Sequence, residues 1–332
     1  MRVAHTEDEE IRMGALLDLT FRGNPMAGSV NDTGELRRSD DIQHDPAALH
    51  ARMADDGYLY LPGLLDPEES LAARLEVMKR LARLGSVDET LPLIEGKYKP
   101  GGGLSAMFDF TLDNPALMKV LYDGPMIRFY ERFLGGPVTH FDYTWFRVKA
   151  PGTTSPTQPH YDVVYMGRGT PNLYTSWTPL GDVPFEMGGL IILENSHRCE
   201  RLRHTYARTD VDRYCENENK AGRIVETARI QKRDLTGEEQ SRIRWNSTGS
   251  YASDAIQARN EIGGRWLTAD YKLGDVLVFS MHTLHASSDN RTNRIRISSD
   301  SRYQLASEPQ DERWIGTRPP AHGIRAKQGM IC

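Results

Sequence analysis

The chain has 332 residues, of which 39% are hydrophobic and 26% charged, and its formal net charge is −5. Acidic and basic residues are interspersed, so the sequence has no basic stripe of the kind that binds a nucleic-acid backbone. The acidic start lacks the pattern of a signal peptide, and no apolar run reaches membrane-spanning length. We therefore expect a globular, cytoplasmic protein with neither nucleic acid nor a membrane as its partner.

The three cysteines, Cys199, Cys215 and Cys332, do not form a recognisable framework. Small secreted domains carry an even number of cysteines in disulfides, and metal-binding pairs have CxxC spacing. This chain has neither feature. We interpret all three cysteines as free thiols.

The first 44 residues differ from the rest of the chain in composition and in hydrophobic pattern. Residues 1–44 are polar, with Gly, Asn and Asp clusters and no sustained hydrophobic period, which predicts a loosely ordered arm. We expect residues 45–332 to form a single domain.

Two helices are predicted after this arm, each opened by an aspartate N-cap and a proline at the first helical position. The first starts after Asp45 and ends at Gly57, before a strand at 58–61. The second starts after Asp66, and its apolar residues recur at helical spacing up to Gly85.

From about residue 138 the sequence consists of short segments rich in Val, Ile, Tyr, Trp and Thr, separated by Gly, Pro and Asn. So many short strands predict a mainly β domain with flanking helices, arranged as a sandwich or jelly roll. The predicted strands are 141–149, 160–165, 172–179, 189–193, 275–281, 285–288 and 294–304. The polar stretch 201–268 is more helical or irregular in pattern, and we interpret it as an insertion between strands.

A histidine and an aspartate, His160 and Asp162, lie two positions apart in one predicted strand. Residues at this spacing point to the same face, so both side chains can converge on one ion. An HxD pair alone is a weak signal, since such a pair is more often an ordinary surface pair. A second histidine, His285, follows the apolar run 276–279, and two imidazoles with one carboxylate make the facial triad of non-haem iron(II) oxygenases.

The segment after this histidine alternates strictly between charged and apolar residues. Ile295 and Ile297 fall on one face of the predicted strand, and Arg294 and Arg296 fall on the other. A guanidinium can clamp a carboxylate through two parallel hydrogen bonds. Arg296 is therefore the candidate to bind an anionic cosubstrate such as 2-oxoglutarate.

Several segments carry a resemblance to a known family. HYD at 160–162, LHASSDN at 284–290 and RIRIS at 294–298 resemble the phytanoyl-CoA dioxygenase family. DGYLYLPGLLDPEE, SWTPLGDVPFEMGGLIILENSHR and YKLGDVLVF resemble further family segments in the same order. Together these segments cover most of residues 50–200 and 265–305, which is far more specific than any single motif.

The resemblance implies a double-stranded β-helix, the cupin-like jelly roll, and a dioxygenase that uses Fe(II), 2-oxoglutarate and O2. Such an enzyme oxidises, typically hydroxylates, a small-molecule substrate and releases succinate and CO2. The metal ligands would be His160, Asp162 and His285. In the family, residues two and eleven positions after the distal histidine bind 2-oxoglutarate, and these offsets fall on Ser287 and Arg296.

The sequence gives weaker support for a functional role of other residues near these motifs. His282 lies an odd number of positions from His285, so the two cannot share a strand face, and we interpret His282 as a packed or surface residue. Gln158 and Thr175, together with Arg147, lie beside the proposed site and are candidates to contact 2-oxoglutarate or substrate. Each is equally well explained as a structural polar group.

Two residues are interpreted as structural. Trp177 is expected in the core, and His197 is expected to brace a loop. The insertion 201–268 leaves the β domain after one strand and returns before the strand that carries His285. We therefore expect it to form a mobile cover that determines the substrate.

Three alternatives stay open at the level of sequence. A zinc hydrolase also uses two histidines and a carboxylate with an open coordination position, but it gives no reason for Ser287 and Arg296 at their offsets. A non-catalytic jelly-roll binding module would be expected to lose a ligand, and all three are present. A halogenase of the same family would replace the acid by a small residue, and Asp162 argues against that.

Overall fold

The computed structural model of the protein describes residues 14–16, 18–102, 111, 113–152, 156–245 and 247–332. The α-helices within this part of the chain are α1 (Pro46–Asp56), α2 (Pro67–Arg83), α3 (Pro115–Tyr122), α4 (Gly124–Leu134), α5 (Val163–Met166), α6 (Glu200–His204), α7 (Ala221–Ile230), α8 (Gly237–Ile243) and α9 (Ala255–Ile262). The strands are β1 (Thr20–Phe21), β2 (Asn24–Pro25), β3 (Thr33–Glu35), β4 (Tyr58–Leu61), β5 (Val138–His140), β6 (Trp145–Lys149), β7 (Tyr174–Pro179), β8 (Leu190–Leu193), β9 (Arg213–Cys215), β10 (Trp266–Thr268), β11 (Val276–Ser280), β12 (His285–Ser287), β13 (Arg296–Leu305) and β14 (Gln328–Met330).

Two sheets form the β domain. The larger sheet has the order β4-β11-β7-β13-β5, with β6 also paired to β13, and the smaller sheet has the order β12-β8-β10-β3. Inward side chains of both sheets meet in one apolar cluster, which includes Tyr60, Trp177 and Phe279 from the larger sheet and Ile192 and Leu267 from the smaller. The predicted place of Trp177 in the core is thus confirmed.

Helices α1 to α4 cover the outer face of the larger sheet. Strand alternation sends Val276 and Val278 of β11 into the cluster with these helices, whereas Leu277 and Phe279 point inward. The larger sheet is therefore buried on both faces, and its inward face is available for a site.

The two predicted helices are confirmed with their caps. Asp45 accepts a hydrogen bond from the Ala48 N–H at 3.1 Å, and α1 ends at Gly57 with φ +78°. Only glycine adopts this left-handed conformation without steric cost. Asp66 accepts from the N–H groups of Glu68 and Glu69 at 2.9 Å each.

The prediction of a loosely ordered arm at 1–44 is wrong for its residues 18–44. Strand β3 pairs in parallel with β10 in the smaller sheet, and Leu19, Phe21 and Met26 are buried in a cluster on the outer side of that sheet. Leu19 and Phe21 are two positions apart, but this alternation does not continue towards Met26, so the sequence has no sustained period that would have indicated their burial. Residues 1–13 and 17 lie outside the described part of the chain.

Most predicted strands of the β domain are confirmed. Those at 172–179, 189–193, 275–281, 285–288 and 294–304 have ends shifted by one or two residues. Of the strand predicted at 141–149, only its second half forms a strand, β6, whereas β5 ends at His140, before the predicted start. The two strands pair with different parts of the long β13.

The insertion predicted at 201–268 is largely helical, as expected, but its last residues belong to the core. Trp266–Thr268 is β10, which lies between β8 and β3 in the smaller sheet. A three-residue apolar strand has no period of its own, which explains why the sequence pattern did not separate it from the insertion.

The prediction of three free thiols is wrong for two of them. Cys215 and Cys332 form a disulfide, next to the parallel pairing of β9 with β14, whereas Cys199 is free. The two cysteines are 117 residues apart, so their pairing cannot be deduced from spacing. In the described part of the chain, no helix has the length and apolar character needed to cross a membrane.

Candidate metal centre

Backbone pairing brings two histidines together. The His160 N–H donates to the His285 carbonyl at 3.0 Å, and the His285 N–H donates to the His160 carbonyl at 3.1 Å. Residues directly opposed in an antiparallel pair carry their side chains on the same side. The two imidazole centroids accordingly lie 4.1 Å apart.

Each imidazole is oriented by its Nδ1 atom. His160 Nδ1 is 2.8 Å from the Gln158 carbonyl oxygen, and His285 Nδ1 is 3.0 Å from the Thr283 carbonyl oxygen. A carbonyl only accepts, so both Nδ1 atoms carry the proton and both Nε2 lone pairs are free to bind a metal.

Asp162 completes the group, although not by the predicted route. The strand predicted at 160–165 is wrong, because pairing is confined to His160 and the chain then turns into α5, for which Asp162 is the N-cap residue. The turn still directs the carboxylate inward. Asp162 Oδ1 lies 3.7 Å from His160 Nε2 and 3.8 Å from His285 Nε2.

The three predicted ligand residues therefore meet at one point. Among the described residues, His160, Asp162 and His285 form a group whose potential ligand atoms all lie within 4.8 Å of one another. Two imidazole nitrogens and one carboxylate oxygen are the donor set of non-haem iron(II) sites, so the residues present fit this metal.

The other oxygen of Asp162 binds protein groups. Oδ2 accepts hydrogen bonds from Thr175 Oγ1 at 2.5 Å and from Arg302 Nη2 at 3.1 Å. The hydroxyl hydrogen of Thr175 is thus committed to the metal-centre carboxylate, and the predicted contact of Thr175 with 2-oxoglutarate stays a prediction.

Charges at the site favour its metal-binding protonation state. Burial, together with the nearby His285, lowers the pKa of His160 to about 3, and burial also lowers the pKa of His285. Burial alone would raise the pKa of Asp162, but Arg302 and the two imidazoles outweigh it, and the pKa is lowered. At neutral pH the group therefore has two neutral imidazoles and one carboxylate.

A basic pocket lies beside the three ligand residues. Arg296 is 2% exposed and donates from Nη1 to the Gly188 carbonyl at 2.9 Å, while its buried Nε has no partner among the described groups. Lys149 is its register partner on β6. Lys149 Nζ donates to Ser287 Oγ, which also accepts from the Thr157 N–H at 2.9 Å.

The loop before His160 is tied to the helical insertion. The Gln158 side-chain oxygen accepts from Ser250 Oγ at 2.8 Å, and the Tyr251 N–H donates to the Pro159 carbonyl at 2.8 Å. Gln158 thus connects the insertion to a ligand loop through its side chain, and its predicted contact with 2-oxoglutarate stays a prediction.

Two histidines interpreted as non-ligands, His282 and His197, lie apart from the site, and so does Arg294. His282 packs against Tyr161, with ring centroids 6.0 Å apart. His197 lies beneath Gly57 and places Nε2 3.2 Å from the Ala54 carbonyl oxygen, so it braces a loop. Arg294 pairs with Glu95 at 2.7 Å on the surface.

Sequence reasoning missed two cations of this site. Arg302 follows Arg296 by six positions on β13, so strand alternation places both on the same face and was a usable signal. Lys149 could not be found in this way, since its contact with Ser287 depends on how β6, β12 and β13 pack.

The sequence profile of the phytanoyl-CoA dioxygenase (PhyH) family matches residues 53–298. This match spans most of the chain, and the protein belongs to that family.

Similar proteins are known by sequence and by structure. The 1-deoxypentalenic acid 11-beta-hydroxylase of Streptomyces exfoliatus is 28% identical over 166 residues, which are 46% of this chain and 55% of that enzyme. The chain thus spans about half the length of this curated relative.

Two solved structures align over most of the chain. EctD from S. alaskensis, solved with 2-oxoglutarate and 5-hydroxyectoine, superposes with a TM-score of 0.53 at 14% identity, covering 94% of this chain and 95% of that one. The epimerase SnoN, solved with Fe3+, alpha ketoglutarate and nogalamycin RO, gives 0.48 at 22% identity, covering 80% and 87%. The likeness to EctD, together with the two sheets, confirms the predicted jelly roll.

Proposed function

We propose that the protein is an iron(II)- and 2-oxoglutarate-dependent dioxygenase that oxidises, typically hydroxylates, a small molecule and releases succinate and CO2. The observation that carries this proposal is the convergence of His160, Asp162 and His285 beside a buried basic pocket. Membership of the phytanoyl-CoA dioxygenase family supports it.

Iron(II) would be held by the two Nε2 atoms and Asp162 Oδ1. When bound, it supplies the oxidising chemistry that amino-acid side chains lack. The protein's own part is to fix the three donors: backbone carbonyls orient both imidazoles, and strand pairing sets their separation.

The basic pocket would hold the distal carboxylate of 2-oxoglutarate. Arg296 and Lys149 bring two cations next to the Ser287 hydroxyl, and burying cations without an anion is unfavourable. The free Nε–H of Arg296 and the ammonium of Lys149 are donors that a carboxylate satisfies. This adds Lys149 to the predicted pair Arg296 and Ser287.

The rival functions account for less of the site. A zinc hydrolase needs the three ligands but gives the basic pocket no role. A non-catalytic module has no use for an intact ligand set. A halogenase would lack Asp162, which is present.

The helical insertion would contribute to substrate selection. A cavity of about 180 Å³ lies between Tyr165 and insertion residues that include Trp245 and Thr248. The Tyr165 ring stands edge-on to His160, with centroids 5.5 Å apart. We place the substrate entrance on this side, with the insertion as a cover that moves when substrate binds.

The experiment that tests the function is anaerobic titration of the protein with iron(II) and 2-oxoglutarate. We expect the weak visible charge-transfer band of their chelate and, in air, iron-dependent succinate release. His285→Ala should lose the band, whereas His282→Ala, three positions away and outside the ligand group, should retain it. A wild-type protein without a band and without calorimetric binding of 2-oxoglutarate would refute the proposal.

A further inference from the structure

The two carboxylate oxygens of Asp162 face different partners. Oδ1 lies on the side of His160 and His285, 3.7 and 3.8 Å from their Nε2 atoms. Oδ2 is engaged by Thr175 and Arg302. Only Oδ1 is therefore free to bind an ion shared with the two imidazoles.

Arg302 is held in place by contacts other than Asp162. It is 3% exposed, its guanidinium lies 4.1 Å from the centroid of the Trp145 ring, and Nη1 donates to the Asp300 carbonyl at 3.1 Å. A guanidinium this close to an aromatic face is attracted to it. The carboxylate orientation is thus set by a side chain that is itself fixed.

A buried ion pair is weak evidence for a role in stability, because desolvation offsets its attraction. Groups that hydrogen-bond a metal ligand do have a separate effect, since they fix its orientation. With iron(II) and 2-oxoglutarate bound, three protein donors and two oxygens of 2-oxoglutarate would leave one of six positions around iron. Asp162 bound through both oxygens would take that last position.

We infer that Arg302 is a positioning residue that keeps Asp162 a one-oxygen ligand, and thereby keeps one coordination position open beside 2-oxoglutarate. This inference rests on the proposed function. The role differs from that of Arg296, which lies six residues earlier on the same strand and belongs to the carboxylate pocket. Thr175 supports the same oxygen from β7.

The test compares Arg302→Met, which removes the charge and the donors but keeps an apolar side chain over Trp145, with Arg302→Lys, which keeps the charge. Three quantities are measured anaerobically: the iron(II) dissociation constant, the visible band with 2-oxoglutarate, and the electron paramagnetic resonance signal after nitric oxide is added to probe the open position. We expect Arg302→Met to weaken iron binding roughly ten- to a hundredfold and to change the nitric oxide signal, and Arg302→Lys to recover part of both.

The matched control is Arg313→Lys. Arg313 is also buried, at 1% exposed, and pairs with Asp311 and Asp212 outside the metal centre. This variant should lose thermal stability while iron binding and the nitric oxide signal stay unchanged. If Arg302→Met does not fold, Thr175→Val removes the other donor to Oδ2 and should shift the same readouts in the same direction.

The outcomes separate this inference from the proposed function. Wild-type iron affinity and nitric oxide signal in folded Arg302→Met, or in Thr175→Val where that is the variant that folds, overturn the inference and leave the function standing. Absence of iron and 2-oxoglutarate binding in the wild-type protein overturns the function, and the inference with it.

Discussion

At the scale of single residues, the basic pocket distinguishes two arginines that the sequence places on one strand face. Arg296 is 2% exposed and its Nε has no partner among the described groups, whereas Arg294 is on the surface and paired with Glu95. The same substitution at both positions therefore separates a carboxylate clamp from a general effect of charge.

We expect Arg296→Lys to weaken 2-oxoglutarate binding by about ten- to a hundredfold, because an ammonium cannot reproduce the two-point contact of a guanidinium and a charged hydrogen bond contributes roughly 1.5–3 kcal/mol. Arg294→Lys should leave the dissociation constant unchanged. Anaerobic calorimetry in the presence of iron(II) measures both. Equal losses at the two positions would mean that the clamp lies elsewhere.

If Lys149 lines the 2-oxoglutarate pocket as proposed, cosubstrate binding should depend on pH. Burial lowers the pKa of Lys149 well below its ordinary value, and the neighbouring Arg296 and Arg147 lower it further. A bound carboxylate favours the charged ammonium and so raises this pKa. At a pH between the pKa of Lys149 in the free protein and its higher pKa in the complex, binding of 2-oxoglutarate takes up a proton. The affinity for 2-oxoglutarate should therefore fall as the pH rises through this range.

Calorimetry in buffers of different ionisation enthalpy measures this proton uptake directly. Lys149→Met should bind 2-oxoglutarate more weakly and lose the proton uptake. If the wild-type affinity is independent of pH and matches that of Lys149→Met, Lys149 has no part in the pocket.

A residue of the site could be predicted where the sequence around it determines its position. The offsets that the family resemblance implies indicated Ser287 and Arg296, and Arg302 would follow from alternation along β13. The contact between Lys149 and Ser287 depends on packing among strands that are far apart in sequence, which no local pattern contains. Asp162 was expected at the site for a wrong reason, since a turn rather than a strand directs it inward.

At the scale of elements, the insertion contacts α5, the short helix that follows Asp162, at a glycine. Gly249 has φ +92°, and a Cβ atom there would lie 2.2 Å from the Tyr165 hydroxyl oxygen. Tyr165 in turn stands against His160. A side chain at position 249 must therefore displace Tyr165, which lies between the insertion and His160.

We expect Gly249→Ala to destabilise the protein by about 1–3 kcal/mol, because alanine is strained at this φ, and to reduce substrate-dependent succinate release while 2-oxoglutarate still binds. Gly237→Ala is the control within the same insertion, since a Cβ there meets nothing within 4 Å. Thermal unfolding and turnover with a substrate found by screening are measured for both variants. If the two variants have the same thermal stability and the same turnover, the close contact between Gly249 and Tyr165 is dispensable.

Helices and strands of this protein differ in how well the sequence predicts where they begin and end. Helices α1 and α2 were predictable because their caps are local: an aspartate and a proline at each start, and Gly57 at the end of α1. Strands β3 and β10 were not, since each is three residues long and is defined by its neighbours in the smaller sheet.

At the scale of the whole molecule, a buried charge network joins the insertion to the C-terminal segment. Asp212 is fully buried and accepts hydrogen bonds from Arg313 at 2.7 Å, Lys327 at 2.6 Å and His322 at 2.9 Å. The neighbouring Asp210 accepts a hydrogen bond at 2.7 Å from Arg168, which follows α5. The network thus connects three parts of the chain that are distant in sequence.

Asp212 should therefore support the stability of the whole fold at neutral pH. Burial would raise the pKa of Asp212, but hydrogen bonds and charges from His322 and Lys327 outweigh it and lower the pKa. A carboxyl whose folded-state pKa lies below its unfolded value, about 3.9, contributes its full stabilisation above the unfolded value. That contribution is lost as the pH falls through the folded-state pKa.

We expect Asp212→Asn to reduce the free energy of unfolding at neutral pH by about 3–5 kcal/mol, because it leaves buried cations around a neutral amide. Asp55→Asn, which breaks a surface pair with Arg198 at 2.8 Å, should cost about 0–1 kcal/mol. Denaturant unfolding at several pH values measures both variants. The difference in free energy of unfolding between wild type and Asp212→Asn should become smaller on acidification below about pH 4. A gap that stays constant with pH would show that Asp212 stabilises the fold by packing and hydrogen bonding alone, and that its charge contributes nothing.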